Sequence, residues 1–183
     1  MAYLTRAQAL GASPATGSLQ LAHAELRKSA STLPDTRFDI FLSHSSEDAR
    51  VIAGVKALLE QEGLSVYVDW LEDPQLDRTR VNAATAGLLR VRMNHSGYLL
   101  YASSNSSSNS KWMPWELGYF DGRRPGHVGI VPIVANPADS FRGVEYLGLY
   151  PIIERVRFER SGILFAHRTS DATADSIRAM ARS

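Results

Sequence analysis

Short apolar segments alternate with longer amphipathic segments through most of the chain. The apolar segments are rich in β-branched and aromatic residues, which is typical of strands. The five predicted strands are FDIFLS (38–43), LSVYVDW (64–70), GYLLYAS (97–103), VGIVPIV (128–134) and IIERVRF (152–158). Pro132 cannot donate a ladder hydrogen bond, so we expect the fourth strand to lie near a sheet edge at that point.

The segments between these strands carry apolar residues at helical spacing. The first predicted helix has Ser45 as its N-cap, Glu47 and Asp48 in its first turn, and Gly63 at its end. The other helices are predicted over 79–93, 111–122 and 171–181.

A strand-helix alternation with short links predicts an α/β fold with a parallel sheet covered by helices on both faces. Five strands indicate the flavodoxin-like doubly wound order, in which ligands bind at the carboxyl ends of the strands. Three segments of the chain lie at that edge, namely 43–46, 69–78 and 103–116.

The first 34 residues differ from the rest, because they are rich in Ala, Ser and Thr and hold few large apolar residues. We therefore divide the chain into an N-terminal arm (1–34) and one domain (35–183). The segment 19–30 is compatible with a docking or oligomerisation helix, and a partly ordered tail is equally compatible. Gly11 and Pro14 are expected to break any element that precedes it.

Composition excludes several classes of function. The 183 residues include 20 basic and 19 acidic ones, a net charge of +1 that argues against nucleic acid as a partner. There is no cysteine, which excludes disulfides and thiol catalysis. No apolar run approaches the ~18 residues of a membrane span, and the N-terminus lacks a signal-peptide pattern, so we expect a cytoplasmic protein without membrane contact.

The stretch SSNSSSNSKWMPWELGYFDG (103–122) joins eight Ser and Asn residues to a segment with two Trp residues around one carboxylate. Pro114 is tolerated only in the first turn of a helix, which places Glu116 close to a helix N-terminus. We expect the polar loop to be mobile and to close over a pocket framed by the aromatic residues.

Three segments resemble the bacterial TIR (Toll/interleukin-1 receptor) domain. FDIFLSHSSED (38–48) is similar to the first box of that family, 68–78 takes the place of its BB loop, and SKWMPWELGYF (110–120) is similar to its segment with a Glu four residues after a Trp. The resemblance covers about 37–158 and implies the TIR fold. It also implies an enzyme without a resident cofactor or metal, which takes NAD+ as its substrate.

In this family the glutamate that corresponds to Glu116 drives cleavage of the nicotinamide–ribose bond of NAD+. A carboxylate beside that ribose would stabilise an oxocarbenium-like transition state, and the leaving nicotinamide is neutral, so no general acid is required. We expect Glu116 at the mouth of the nucleotide pocket. Trp112 lies four residues earlier on the same helix face, either as a pocket wall or as ordinary packing.

The resemblance implies further substrate-binding residues, each of which also has a plain structural explanation. Residues after the first strand would line the nicotinamide side, or form hydrogen bonds at the helix cap. Residues around the second strand and the BB loop would touch the ligand or its pyrophosphate, or pair with nearby charges. These candidates are Ser43, His44, Ser45, Asp69, Trp70 and Arg78.

The leading hypothesis is an NAD+ nucleosidase that gives nicotinamide plus ADP-ribose or a cyclic ADP-ribose isomer, in bacterial antiphage defence. The family implies assembly with other TIR protomers, as a homo-oligomer or filament, and a separate sensor or effector protein. One alternative is a non-catalytic TIR scaffold that acts through TIR–TIR assembly. Another is an enzyme like the nucleoside deoxyribosyltransferases, which also attack an N-glycosidic bond with a carboxylate.

Overall fold

The computed structural model describes residues 3–15, 35–73, 76, 81–141, 143–157, 163–168, 175–176 and 180–181. Its strands are β1 (Leu4–Thr5), β2 (Phe38–Ser43), β3 (Val66–Tyr67), β4 (Ser96–Ser103), β5 (Val128–Val134), β6 (Ile152–Arg157), β7 (Ile163–Arg168) and β8 (Asp175–Ser176). Its α-helices are α1 (Arg6–Ala12), α2 (Ala49–Gln61), α3 (Asp69–Glu72), α4 (Ala83–Asn94) and α5 (Trp112–Arg123). No helix within these described ranges is both long and apolar enough to cross a membrane.

Five parallel strands form the body of the sheet in the order β3-β2-β4-β5-β6. The predicted first strand therefore lies between the second and the third, which confirms the flavodoxin-like order. Antiparallel β7 and β8 extend the sheet beyond β6, and β1 pairs with the end of β5.

Apolar side chains pack on both faces of the sheet, as the sequence predicts. The residues of β4 alternate, so that Tyr98 and Leu100 face a core built with α1 and α2, whereas Leu99 and Tyr101 face a core built with α4 and α5. The second face carries most of the aromatic residues of 112–120, including buried Trp112. The helix α5 is thus fixed to the sheet along its length.

Three local predictions are wrong. Only Val66–Tyr67 of the predicted second strand is β-structure, because the amides of Leu71 and Glu72 bond to the carbonyl of Val68 and begin α3. The helix predicted over 171–181 is wrong at Asp175 and Ser176, which lie in a strand because they pair with β7, whereas Met180 and Ala181 are helical. The strand that contains Pro132 is central, and its pairings to β6 at Ile130 and to β1 from Ile133 leave Pro132 between them.

Residues 4–12 of the N-terminal arm form β1 and α1, although Gly11 and Pro14 argued against an element there. A capping box starts α1, since Thr5 and Gln8 bond reciprocally through side chain and backbone. Buried Ala9 then packs against Gly54 of α2. The segment 19–30 lies outside the described residues, and the division at residue 34 stays a prediction.

We predict that Gly54→Ala destabilises the protein. A Cβ built at Gly54 would lie 1.7 Å from the carbonyl oxygen of Ala9, so α1 and α2 must move apart. Overpacking of this kind costs about 1–3 kcal/mol of unfolding free energy, measurable by urea denaturation. Gly87→Ala in α4 is the matched control, because nothing lies within 4 Å of its added Cβ. It should stabilise the helix by about 0.5–1 kcal/mol, and equal effects of both substitutions would contradict the close packing of α1 on α2.

Candidate active site

Glu116 is the fifth residue of α5, and its side chain is 0% exposed. The hydroxyl of Ser43 donates a hydrogen bond of 2.6 Å to its Oε2. Ser43 ends β2 and is the register partner of Tyr101 on β4. The carboxylate therefore lies over the carboxyl ends of two central strands, where doubly wound folds bind their ligands.

Tyr101 interacts electrostatically with the Glu116 carboxylate. Burial is the main reason that the pKa of this tyrosine lies well above its ordinary value, and the nearby Tyr146 and Glu116 raise it further. The proximity follows from the register, because Ser43 and Tyr101 stand side by side under α5. A short hydroxyl bond and a neutral phenol thus surround the buried carboxylate.

A pocket of about 190 Å³ lies at the start of α5. It is lined by His44, Ser45, Ser46, Glu47, Val81, Asn109, Ser110, Lys111 and Trp112. Trp112 lies one helical turn before Glu116 on α5, and Glu116 itself is not among the residues that line the pocket. The expectation that Glu116 stands at the pocket mouth is wrong, because its bond to Ser43 holds it against the sheet and inside the core.

His44 directly follows β2, and its side chain contacts Asp69, the first residue of α3. Its Nδ1 lies 2.8 Å from the carbonyl oxygen of Leu42, which can only accept, so Nδ1 carries a hydrogen. Its Nε2 lies 3.2 Å from Oδ1 of Asp69, and both side chains are buried. A neutral imidazole that donates from Nδ1 has no hydrogen on Nε2, so this pair is a close contact between two polar side chains in the interior.

The structure brings together only part of the predicted set. Ser45 accepts a bond of 3.4 Å from the amide of Glu47 and also lines the pocket, so its capping role and its place in the site coincide. Asp69 reaches the site through His44, whereas half-buried Trp70 packs against the core on the other face of the sheet. Arg78 lies outside the described residues.

Sequence reasoning missed Val81, Asn109 and Lys111 as pocket residues. Lys111 occupies the N-cap position of α5 and is exposed, so it places a positive charge on the pocket rim. Its position directly before Trp112 was the available signal. Val81 is an exposed apolar residue in a polar stretch and gave none.

The first residues of the Ser/Asn loop bond to Asp48, the N-cap residue of α2. The hydroxyls of Ser104 and Ser106 both donate to Oδ2 of Asp48, and Arg6 donates to Oδ1 at 2.7 Å. Burial of Asp48 opposes its ionisation, but these three donors together hold its pKa below the ordinary value. The proposed closing movement of the loop stays a prediction.

Residues 40–158 match the family described as TIR domain. The chain belongs to the TIR domain family. It is 54% identical over 119 residues to a protein of Bacillus cereus named "Probable 3' cyclic ADP-D-ribose synthase ThsB'", a match that covers 64% of this chain and 61% of that protein. It is 31% identical over 83 residues to a protein of Cytobacillus dafuensis named "Putative cyclic ADP-D-ribose synthase TIR2".

The second match covers 45% of this chain and 22% of its relative. The chain thus aligns with less than two thirds of the length of either relative. The family match runs from the third residue of β2 to just beyond the end of β6 and contains every predicted site residue, from Ser43 to Glu116. It also confirms the resemblance on which the TIR fold was expected.

We predict that Ser43→Ala lowers the free energy of unfolding by about 1–3 kcal/mol, because it leaves a buried carboxylate oxygen without its hydroxyl donor. The same substitution made on a Glu116→Gln background should cost less, since the charge is already gone. Urea denaturation of the four proteins measures this coupling. Additive effects would show that the Ser43–Glu116 bond contributes no stability of its own.

A second prediction concerns acid stability. Because the pKa of Asp48 lies below its ordinary value of 3.8, its stabilising contribution is complete above pH 3.8 and is lost as the pH falls through its lowered value. Asp48→Asn should therefore lose stability relative to wild type near neutrality, and the difference should shrink in acid. Urea midpoints measured between roughly pH 6 and pH 2 test this, because that range extends below the ordinary pKa of Asp48. A difference that stays constant over that range would contradict the assigned bonds.

Proposed function

We propose that this TIR protein cleaves the nicotinamide–ribose bond of NAD+ and releases a cyclic ADP-ribose isomer. The observation that carries the proposal is a wholly buried carboxylate, Glu116, which is bonded to Ser43 and lies one helical turn from Trp112, a residue that lines a pocket of the TIR domain. The names of the two relatives, which describe a probable and a putative cyclic ADP-D-ribose synthase, support the same chemistry.

In the proposed reaction the bond between C1′ of the ribose and the nicotinamide nitrogen breaks, and its electron pair leaves with the nicotinamide, which becomes neutral. Positive charge develops on C1′ and the ring oxygen, where the Glu116 carboxylate stabilises it. A hydroxyl of the same ADP-ribose then attacks C1′ and loses its proton, which gives the cyclic product. Attack by water instead gives linear ADP-ribose.

The pocket supplies the polar groups that a dinucleotide needs. Lys111 offers a positive charge for the diphosphate, and Asn109 and Ser110 offer hydrogen bonds at the start of α5. His44 and Ser45, which directly follow β2, also line the pocket. Trp112 lines it one helical turn before Glu116, so we expect the ring of Trp112 to move when substrate reaches the carboxylate.

The size of the pocket supports a site completed by a second TIR domain. Its volume of about 190 Å³ is smaller than the ~300–1,000 Å³ of typical ligand pockets. A dinucleotide therefore needs a movement of the Ser/Asn loop, a wall from another protomer, or both. The proposal also includes assembly into a homo-oligomer, a role in antiphage defence, and a separate sensor or effector protein. These three parts are inferred from membership of the TIR family.

We predict that purified protein consumes NAD+ and releases nicotinamide, with a rate per protomer that rises with protein concentration. Glu116→Gln should lower the rate by at least ~10²-fold, because it removes the charge that stabilises the transition state. Chromatography of the products distinguishes a cyclic isomer from linear ADP-ribose. Glu60→Gln, at an exposed site on α2, is the matched control and should leave the rate unchanged.

The control for folding is the circular dichroism spectrum of each variant. If wild type fails to release nicotinamide at every concentration, the enzyme proposal is wrong and the scaffold alternative is favoured. Full activity in Glu116→Gln would exclude this carboxylate from the reaction.

A further inference from the structure

Asp48 stands at the N-cap of α2 but does not cap that helix. Aspartate is among the preferred N-cap residues because its carboxylate accepts from the first free amides of a helix. Here the Asp48 side chain makes no such bond, although the side chain is only 3% exposed. Both of its oxygens instead bond to groups outside α2, which is unusual for a residue at this position.

The first of these groups belongs to the N-terminal segment. Arg6, the first residue of α1, donates from Nη1 to Oδ1 of Asp48 at 2.7 Å. The pairing of β1 with β5 and the packing of Ala9 on Gly54 fix the backbone that carries Arg6. This segment lies outside residues 40–158, which match the TIR family.

The second group is the beginning of the Ser/Asn loop. Ser104 and Ser106 donate to the other oxygen of Asp48 and also contact each other. A short 3₁₀ turn, Ser107–Asn109, follows, and the chain then enters the pocket rim at Asn109 and reaches Trp112. The position of the rim therefore depends on where the two serines are held.

From these contacts we propose that Asp48 is a positioning residue for the NAD+ site, and that the N-terminal segment controls it through Arg6. The inference rests on the proposed function for its kinetic consequence, but not for its structural one. With Arg6 in place, Asp48 is held as a buried carboxylate that fixes Ser104 and Ser106 and keeps the rim closed around its ligand. Without Arg6, one oxygen of Asp48 loses its charged donor and the loop start loosens.

Hydrogen exchange of backbone amides tests the structural part without any turnover. The amides of Ser107, Asn109 and Ser110 bond to carbonyls within the loop and report on its order. Arg6→Gln and Asp48→Asn in the full chain should accelerate their exchange, and Arg6→Lys should restore protection. Glu60→Gln is the matched control, because it breaks an ion pair of the same 2.7 Å length at a similarly exposed site, 46% against 52%.

Steady-state kinetics tests the functional part. Loss of a hydrogen bond to a charged group should raise the KM for NAD+ roughly tenfold and change kcat less than about twofold, because Glu116 keeps its bond to Ser43. Arg6→Lys should recover the lower KM. A fall in kcat with an unchanged KM would overturn the positioning role.

Unchanged amide protection in Arg6→Gln would also overturn the inference, as would an equal loss of protection in Glu60→Gln. If Asp48→Asn does not fold, Arg6→Gln decides, since its side chain is half exposed. If wild type does not cleave NAD+, the proposed function fails, and amide exchange still decides whether Asp48 and Arg6 hold the loop.

Discussion

The hydrogen bond from Ser43 to Glu116 joins residues 73 positions apart and fixes α5 on the ends of β2 and β4. A carboxylate without solvent contact costs several kcal/mol unless it is bonded, so this bond constrains everything around it. The sheet order makes this hydrogen bond possible, because β2 lies between β3 and β4, and this position places Ser43 beside Tyr101. A buried charge is energetically unfavourable in a hydrophobic core, but buried charges are common in catalytic sites.

Much of the architecture follows from the sequence because its signals are local. The alternation of strands and helices predicts the sheet order, and Pro114 with the spacing of Trp112 and Glu116 predicts how α5 begins. The depth of Glu116 could not be predicted, since it depends on the hydroxyl of a distant strand. The polar pattern of 103–110 predicted a mobile loop. It did not indicate that Ser104 and Ser106 donate hydrogen bonds to the buried carboxylate of Asp48, the N-cap residue of α2.

The errors share one physical cause, which is that long-range contacts override local preference. Gly11 and Pro14 suggested no element near the N-terminus, yet pairing with β5 and a glycine on α2 accommodate β1 and α1. Asp175 follows a helical pattern but completes a strand ladder with β7. Pro132 is tolerated in this central strand because β5 pairs with β6 at Ile130 and with β1 from Ile133. The amide hydrogen that Pro132 lacks would lie between these two pairings.

Two buried carboxylates bond to charged residues that are distant in the chain. Asp48 bonds to Arg6 and holds the start of the Ser/Asn loop. Asp73, directly after α3, accepts two bonds from buried Arg92 and one from Tyr67. Such networks add little net stability, but they select one geometry, because a displaced carboxylate would be left buried and unpaired. The bonds to Asp48 therefore select one position for the start of the Ser/Asn loop, before the chain reaches the pocket at Asn109.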